Sequence, residues 1–201
     1  ASVVATRVED GKITDIIIEG KGGREAVCVR GSVVDCTGDA DVCELAGAKT
    51  ANFAAGNKLA SWYYGVAGGE LDLYMVGVHD VNDDKNATDL NDKRRFSGLD
   101  TEELSEMVQI GHSAMMRNLL ERRKTVPDLV PVTIATTPEV RMTRRIVSAY
   151  TQDIDEVGVE YPDTVGIFPN WKKFGPVYEL PFSALYGNEI KNLAVAGRCI
   201  S

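Results

Sequence analysis

Short apolar runs punctuated by glycine fill the first fifty residues: Val3-Val4, Ile13 to Ile18, Val27 to Val29, then Ser32 to Cys36. The first three are separated by Asp10-Gly11 and by Gly20-Lys21-Gly22-Gly23. Asp-Gly and Gly-Gly pairs between β-branched runs favour hairpin turns, because those turns need positive φ. The pattern therefore predicts a three-stranded antiparallel meander over residues 1–31. Ser32 to Cys36 is short and apolar enough for a buried strand, and Asp39 or Asp41 is placed to cap a following helix through Ala48.

A helical period takes over further along. Asp100 and Glu103 fit a capping box, and Leu104, Val108, Gly111, Met115 and Leu119 recur every three to four residues. This predicts a helix from about residue 101 to 124. Arg117, Arg122, Arg123 and Lys124 gather where the negative end of that helix lies, which reads as dipole complementarity and solvation rather than a binding patch. His112 adjoins the apolar stripe as a packed or rim residue. The glycine-, alanine- and aromatic-rich stretch 51–78 fits no single element, and 81–95, dominated by Asn, Asp and Lys, reads as a loop. Asn86-Ala87-Thr88 within it matches a glycosylation sequon by chance. Thr137-Pro138-Glu139 looks like a helix start, whereas Ile146, Val147, Tyr150 and Thr151 favour a strand over 145–151. On a strand, Arg144 and Arg145 point to opposite faces.

Two motifs at opposite ends of the chain share one design. Val33-Val34-Asp35-Cys36-Thr37-Gly38-Asp39 and Asn192-Leu193-Ala194-Val195-Ala196-Gly197-Arg198 are each an apolar strand stopped by a glycine. In open α/β sheets ligands bind beyond the carboxyl ends of such strands, so the two ends are expected side by side at one crevice. Gly38 would let backbone approach a ligand, with Thr37 offering a hydroxyl. The arginines Arg141, Arg144 and Arg145 form the other chemically suggestive cluster. A guanidinium stays charged on burial and presents a fork that matches carboxylates, which suits an acidic substrate or a developing negative charge.

Composition narrows the class. With 201 residues and 44% hydrophobic content the chain can bury a core of one large or two small domains. A net charge of −8 disfavours nucleic acid or an anionic membrane as partner. No apolar run reaches the ~18 to 20 residues that cross a bilayer, and no signal peptide is visible, so a cytoplasmic location is expected. Cys28, Cys36, Cys43 and Cys199 include no C-x-x-C, and no histidine stands at ligand spacing, so they read as small buried hydrophobes with no metal site.

The strings VVDCTGDADVCELAGA, RMTRRIVSAYT and YELPFSALYGNEIKNLAVAGRCIS resemble the FAD-dependent oxidoreductase family whose flavoproteins are related to fumarate reductase and to the heterodisulfide reductase flavin subunit. The likeness is strong at those places and weak between about residues 50 and 135. It implies FAD as cofactor, with Thr37, Gly38, Asp39, Ala196, Gly197 and Arg198 facing it and Arg141, Arg144 and Arg145 catalytic. It also implies a mixed α+β / α/β fold: a partial, Rossmann-like FAD-binding lobe with its β-meander (1–49), an inserted mixed α+β substrate domain (50–185), and a return strand to the FAD lobe (186–201). The family's opening G-x-G-x-x-G is not among these residues, so the chain is expected to be an internal piece of a larger flavoprotein. Gly197-Arg198 stands where many flavin reductases carry Gly-Asp for the ribityl chain, although an arginine is usual in the subfamily resembled. Phe182 and Ser183 stand where the Y-x-I-P-Y-R-x-L segment has Tyr and Arg, and Tyr161-Pro162-Asp163 matches the family's F-P-D as a turn.

The expected function is transfer of hydride or electrons between FAD and an organic substrate, possible carboxylate bearers included, with a redox partner protein as a further candidate partner. One alternative is a small-molecule or protein binding module that has lost FAD. Another, a steroid or isoprenoid reductase of the same architecture, differs only in its substrate pocket.

Overall fold

The computed structural model describes residues 1–57, 59, 61–76, 94–134, 140–170 and 172–201. The chain is a mixed α/β protein, rich in strands and poor in helices. It divides into two compact units, residues 1–52 with 144–201 and residues 53–143.

In the first unit, β1 (Ser2–Glu9), β2 (Lys12–Gly20) and β3 (Gly23–Cys28) pair antiparallel in that order, as the glycine punctuation predicts. Asp10 (φ 49°) and Gly11 (φ 72°) both take the left-handed conformation of a type I′ turn. The meander is fastened by Asn192, whose Oδ1 accepts from the Ile13 N–H at 2.8 Å and whose Nδ2 donates to the Ile13 carbonyl at 2.9 Å. The strand β4 (Val33–Asp35) follows, then α1 (Asp41–Leu45) and β5 (Thr50–Asn52). Val33 and Asp35 are buried while Val34 is exposed, so β4 is buried on one face rather than on both.

Helix α1 departs from the expected one at both ends. Its N-cap is Ala40, in the left-handed conformation and without a side-chain cap, instead of Asp39 or Asp41. It stops at Leu45 rather than Ala48, because Gly47 takes φ 75° and the Ala48 and Gly47 N–H groups turn back to the Cys43 and Glu44 carbonyls. That is a Schellman ending, which only a residue tolerant of positive φ permits cheaply.

The second unit holds β6 (Trp62–Ala67), β7 (Glu70–Met75), α2 (Thr101–Arg122) and β8 (Val130–Ile134), in a sheet ordered β7-β6-β8. The 51–78 stretch thus contains a hairpin whose turn is Gly68-Gly69, at φ 58° and 85°. One core cluster joins Tyr63 of the sheet to Met107, Ala114, Met115 and Leu119 of α2 and to Leu129. Gly65 makes room for this packing, since a Cβ there would lie 2.8 Å from the Leu129 side chain. The helix begins where the capping box predicts, with Asp100 accepting from the Glu103 N–H at 2.8 Å. Glu103 does not return the bond to Asp100; its carboxylate takes the N–H groups of Ser97 and Gly98 at 2.9 Å each. At the far end Arg122 stacks 4.8 Å over the Tyr74 ring and Arg123 Nε donates to the Leu129 carbonyl at 2.7 Å, so the basic cluster includes packing and hydrogen-bonding roles as well as dipole compensation. Asn57, fully buried, ties this unit together: Nδ2 donates to the Met142 carbonyl at 2.6 Å, and Oδ1 accepts from the Arg141 and Met142 N–H groups at 2.9 and 3.0 Å.

The chain then returns to the first unit through β9 (Arg144–Ile146), β10 (Thr164–Pro169), β11 (Val177–Pro181), a 3₁₀ turn at Phe182–Leu185, β12 (Leu193–Val195) and a second 3₁₀ turn at Gly197–Cys199. The domain boundary expected at 185 therefore falls at 143. The physical reason is that β9 pairs antiparallel with β5, and the Ala149 and Tyr150 N–H groups donate to the Tyr186 and Ser183 carbonyls. The strand expected over 145–151 is only Arg144–Ile146: the Val147 N–H still bonds the Lys49 carbonyl in the same register, and beyond it the Ala149 and Tyr150 N–H groups turn to the Tyr186 and Ser183 carbonyls instead. Cys43 and Cys199 are buried as expected, but Cys28 and Cys36 are exposed. The sequon, most of the 81–95 loop and Thr137-Pro138-Glu139 lie outside the described residues.

Candidate functional site at the ends of β4 and β12

The two glycine-stopped strands lie side by side. β12 runs parallel to β4 with Leu193, Ala194 and Val195 opposite Val33, Val34 and Asp35, and the Ala196 N–H continues the ladder to the Asp35 carbonyl at 2.9 Å. Both strands therefore deliver their following turns, 36–40 and 196–199, to the same edge of the first unit.

Asp35 shapes the first turn. Its side chain is fully buried; Oδ1 accepts from the Thr37 N–H at 3.0 Å and the Thr37 hydroxyl at 2.7 Å, and Oδ2 accepts from the Cys43 N–H at 3.0 Å. The Thr37 hydroxyl in turn accepts from the Asp41 N–H at 3.0 Å. Asp35 and Thr37 thus satisfy first-turn donors of α1 that Asp39 and Asp41 were expected to cap. Thr37 is consequently committed to the turn itself. From the second turn, Cys199 Sγ accepts from the Ala40 N–H at 3.3 Å, which fastens the two turns together. Burial raises both the Cys43 and the Cys199 thiol pKa, and the Asp35 carboxylate adds to the effect, so both stay protonated thiols.

Gly38 and Gly197 both have positive φ, 87° and 70°. A Cβ on Gly38 would lie 2.7 Å from Arg198 Nη2, whereas the space beside Gly197 is open. Arg198 lies across the first turn and pairs with Asp39 at 3.1 Å. Arg144 approaches the same turn from β9: Nε donates to the Asp39 carbonyl at 2.9 Å and Nη2 pairs with Asp41 at 2.8 Å, with Glu44 at 3.9 Å. Its side chain is 15% exposed, well inside the range where a guanidinium needs its partners. Burial raises the Asp41 carboxyl pKa, with Arg144 pulling the other way and Asp39 adding to the rise.

Of the nine residues singled out in the sequence, the structure brings Thr37, Gly38, Asp39, Ala196, Gly197, Arg198 and Arg144 together. Arg145 turns away from this group, with Nη1 donating to the Ile146 carbonyl at 3.0 Å and bonding the Ser201 hydroxyl. Arg141 belongs to the second unit and is exposed. Asp35 is the residue the sequence reading passed over. Its signal is a carboxylate two residues before a threonine at the end of an apolar run, the spacing of an Asx-type turn.

The segment 178–185 engages Asp163 through Ser183. The Ser183 N–H donates to Asp163 at 2.7 Å, and hydrogen bonds from Ser183 hold the Asp163 carboxyl below the ordinary carboxylate range. Tyr161-Pro162-Asp163 is a turn, as expected, closed by the Thr164 N–H donating to the Tyr161 carbonyl at 3.3 Å.

Comparison with known proteins yields no matching family model, no matching curated protein and no matching solved structure. Among the described residues, no helix is long and apolar enough to cross a membrane. The site nevertheless has features that fit a dinucleotide: an open backbone face at Gly197, a second positive-φ glycine overlain by the Arg198 guanidinium, and two guanidinium groups at the carboxyl ends of parallel strands.

Proposed function

We propose that this chain contributes the second and last cofactor-facing strands of a FAD-dependent oxidoreductase. The observation that carries the reading is the parallel pairing of β4 with β12, which sets Gly38 and Gly197 at one edge although most of the chain lies between them. Parallel neighbours ending in positive-φ glycines are the arrangement in which backbone approaches a dinucleotide closely.

Gly38 and Gly197 would admit the cofactor against bare backbone, and Arg198 would swing from Asp39 towards a phosphate or a ribose oxygen. Arg144 acts as a positioning residue: it ties Asp39 and Asp41 to β9 and so fixes the turn that carries Gly38. When bound, FAD would supply the hydride or electron transfer, and the protein the orientation and electrostatics. The second unit would then hold the organic substrate.

The test is to purify the protein from its complete reading frame and record its visible spectrum. An absorbance band near ~450 nm that survives gel filtration, with FAD released on denaturation, supports the proposal. A colourless protein that FAD added in excess does not turn yellow would refute it and favour a binding module without flavin.

A further inference from the structure

Between α2 and the sheet of the second unit lies an open-sided cavity of about 220 Å³. It is lined by Tyr63, His112, Met115, Met116, Leu119, Pro131 and Ile134, and belongs to none of the residues described above as a candidate site. Tyr63 lies on the buried face of β6, and its hydroxyl already engages Asn118 Oδ1 at 3.0 Å, so the surface it turns to the cavity is ring carbon. Burial raises the Tyr63 pKa, which keeps that ring neutral. Among the described residues the lining offers no carboxylate, lysine or arginine, and His112 stands at its exposed rim.

We infer that this cavity is a binding site for a small, uncharged aromatic molecule of one substituted ring. Size, lining and shape lead to that class. An apolar cavity of about 150 Å³ stays dry and takes benzene, so one half as large again admits a ring with one or two substituents. Thioether side chains adapt to ring edges, and two adjacent methionines contribute here. An ionised ligand would give up its hydration for a lining whose described residues carry no carboxylate or ammonium to pair with it. The inference stands apart from the flavin reading, because every lining residue belongs to residues 53–143.

Methyl-¹³C-methionine labelling of the whole chain tests it, since the chain has five methionines and two of them line the cavity. Titration with toluene, p-cresol and benzoate should move the Met115 and Met116 methyl signals saturably for the first two, with benzoate at least tenfold weaker. Met75 and Met142, which do not line the cavity, should stay in place. Ile134→Trp and Met116→Trp, both at exposed positions and therefore compatible with folding, should fill the space and weaken toluene at least tenfold, judged from the Met115 methyl with far-UV circular dichroism unchanged. No saturable shift with toluene at its solubility limit would overturn the inference. So would unaltered affinity in both folded variants, or benzoate binding as well as toluene.

Discussion

Asp35 shows how one buried carboxylate organises the candidate site. It is fully buried and accepts from three donors, two on Thr37 and one at the start of α1. Bonds to a charged acceptor are worth about 1.5–3 kcal/mol each, and orphaned donors add their own cost. Asp35→Ala is therefore expected to lower unfolding free energy by about 3 kcal/mol or more, read from urea denaturation. Gly38 makes a different demand. Gly38→Ala places a Cβ at φ 87° and against Arg198, so a loss of about 1–2 kcal/mol is expected from backbone strain, together with release of Arg198 from Asp39. An amide-resolved spectrum of residues 36–41 checks the second effect.

Asp163 gives a pH prediction with a fixed sign. Its folded pKa is lowered by Ser183, so its contribution to stability is present above the unfolded value, about 3.9, and is lost as pH falls through the lower folded value. Ser183→Ala should bring the Asp163 pKa, followed by carboxyl ¹³C shifts, back up towards that ordinary value. An unchanged titration would mean that the Ser183 N–H alone sets it.

At the scale of elements, the sequence was most legible where local chemistry decides the outcome. The meander follows from turn residues that tolerate positive φ, and α2 from its period and its Asp100 cap. Asp100→Ala is expected to cost about 1 kcal/mol, seen as a drop in Tm, with the cap bond to Glu103 lost. The elements that misled are those whose N–H groups go to distant partners. α1 is capped by Asp35 and Thr37 from outside the helix, and β9 ends early because the Ala149 and Tyr150 N–H groups beyond it go to Tyr186 and Ser183. The β6–β7 hairpin was obscured because aromatic and glycine residues alternate without a clear polar face: Tyr64, Leu71, Leu73 and Met75 are all exposed. The pairing of β4 with β12 was legible because each strand ends in the same apolar-then-glycine pattern. The commitment of Arg144 to Asp39 and Asp41 was not, since it depends on where β9 falls in three dimensions.

At the scale of the whole molecule, the two-unit division has a testable consequence. Within the first unit Asn52 pairs with Arg144, and within the second the Phe53 N–H donates to the Thr143 carbonyl at 2.6 Å. The second unit thus begins and ends at neighbouring residues, the condition under which an inserted segment folds by itself. Residues 53–143 expressed alone should show dispersed amide signals and one cooperative unfolding transition; a molten, non-cooperative polypeptide would mean that the unit depends on the rest of the chain. If the proposal holds, Gly38 and Gly197 mark one cofactor edge. The most direct measurement is the flavin content of the protein from its complete reading frame, compared with Gly197→Val. No atom lies within 4 Å of a Cβ added at Gly197, so a valine there projects into the face proposed for the cofactor, and because φ 70° strains any side chain the comparison is made only with variant protein that circular dichroism shows to be folded. Stoichiometric FAD is expected in the unsubstituted protein, and at least a tenfold weaker hold in a folded Gly197→Val. Equal flavin content in the two, or none in the parent protein, would contradict it.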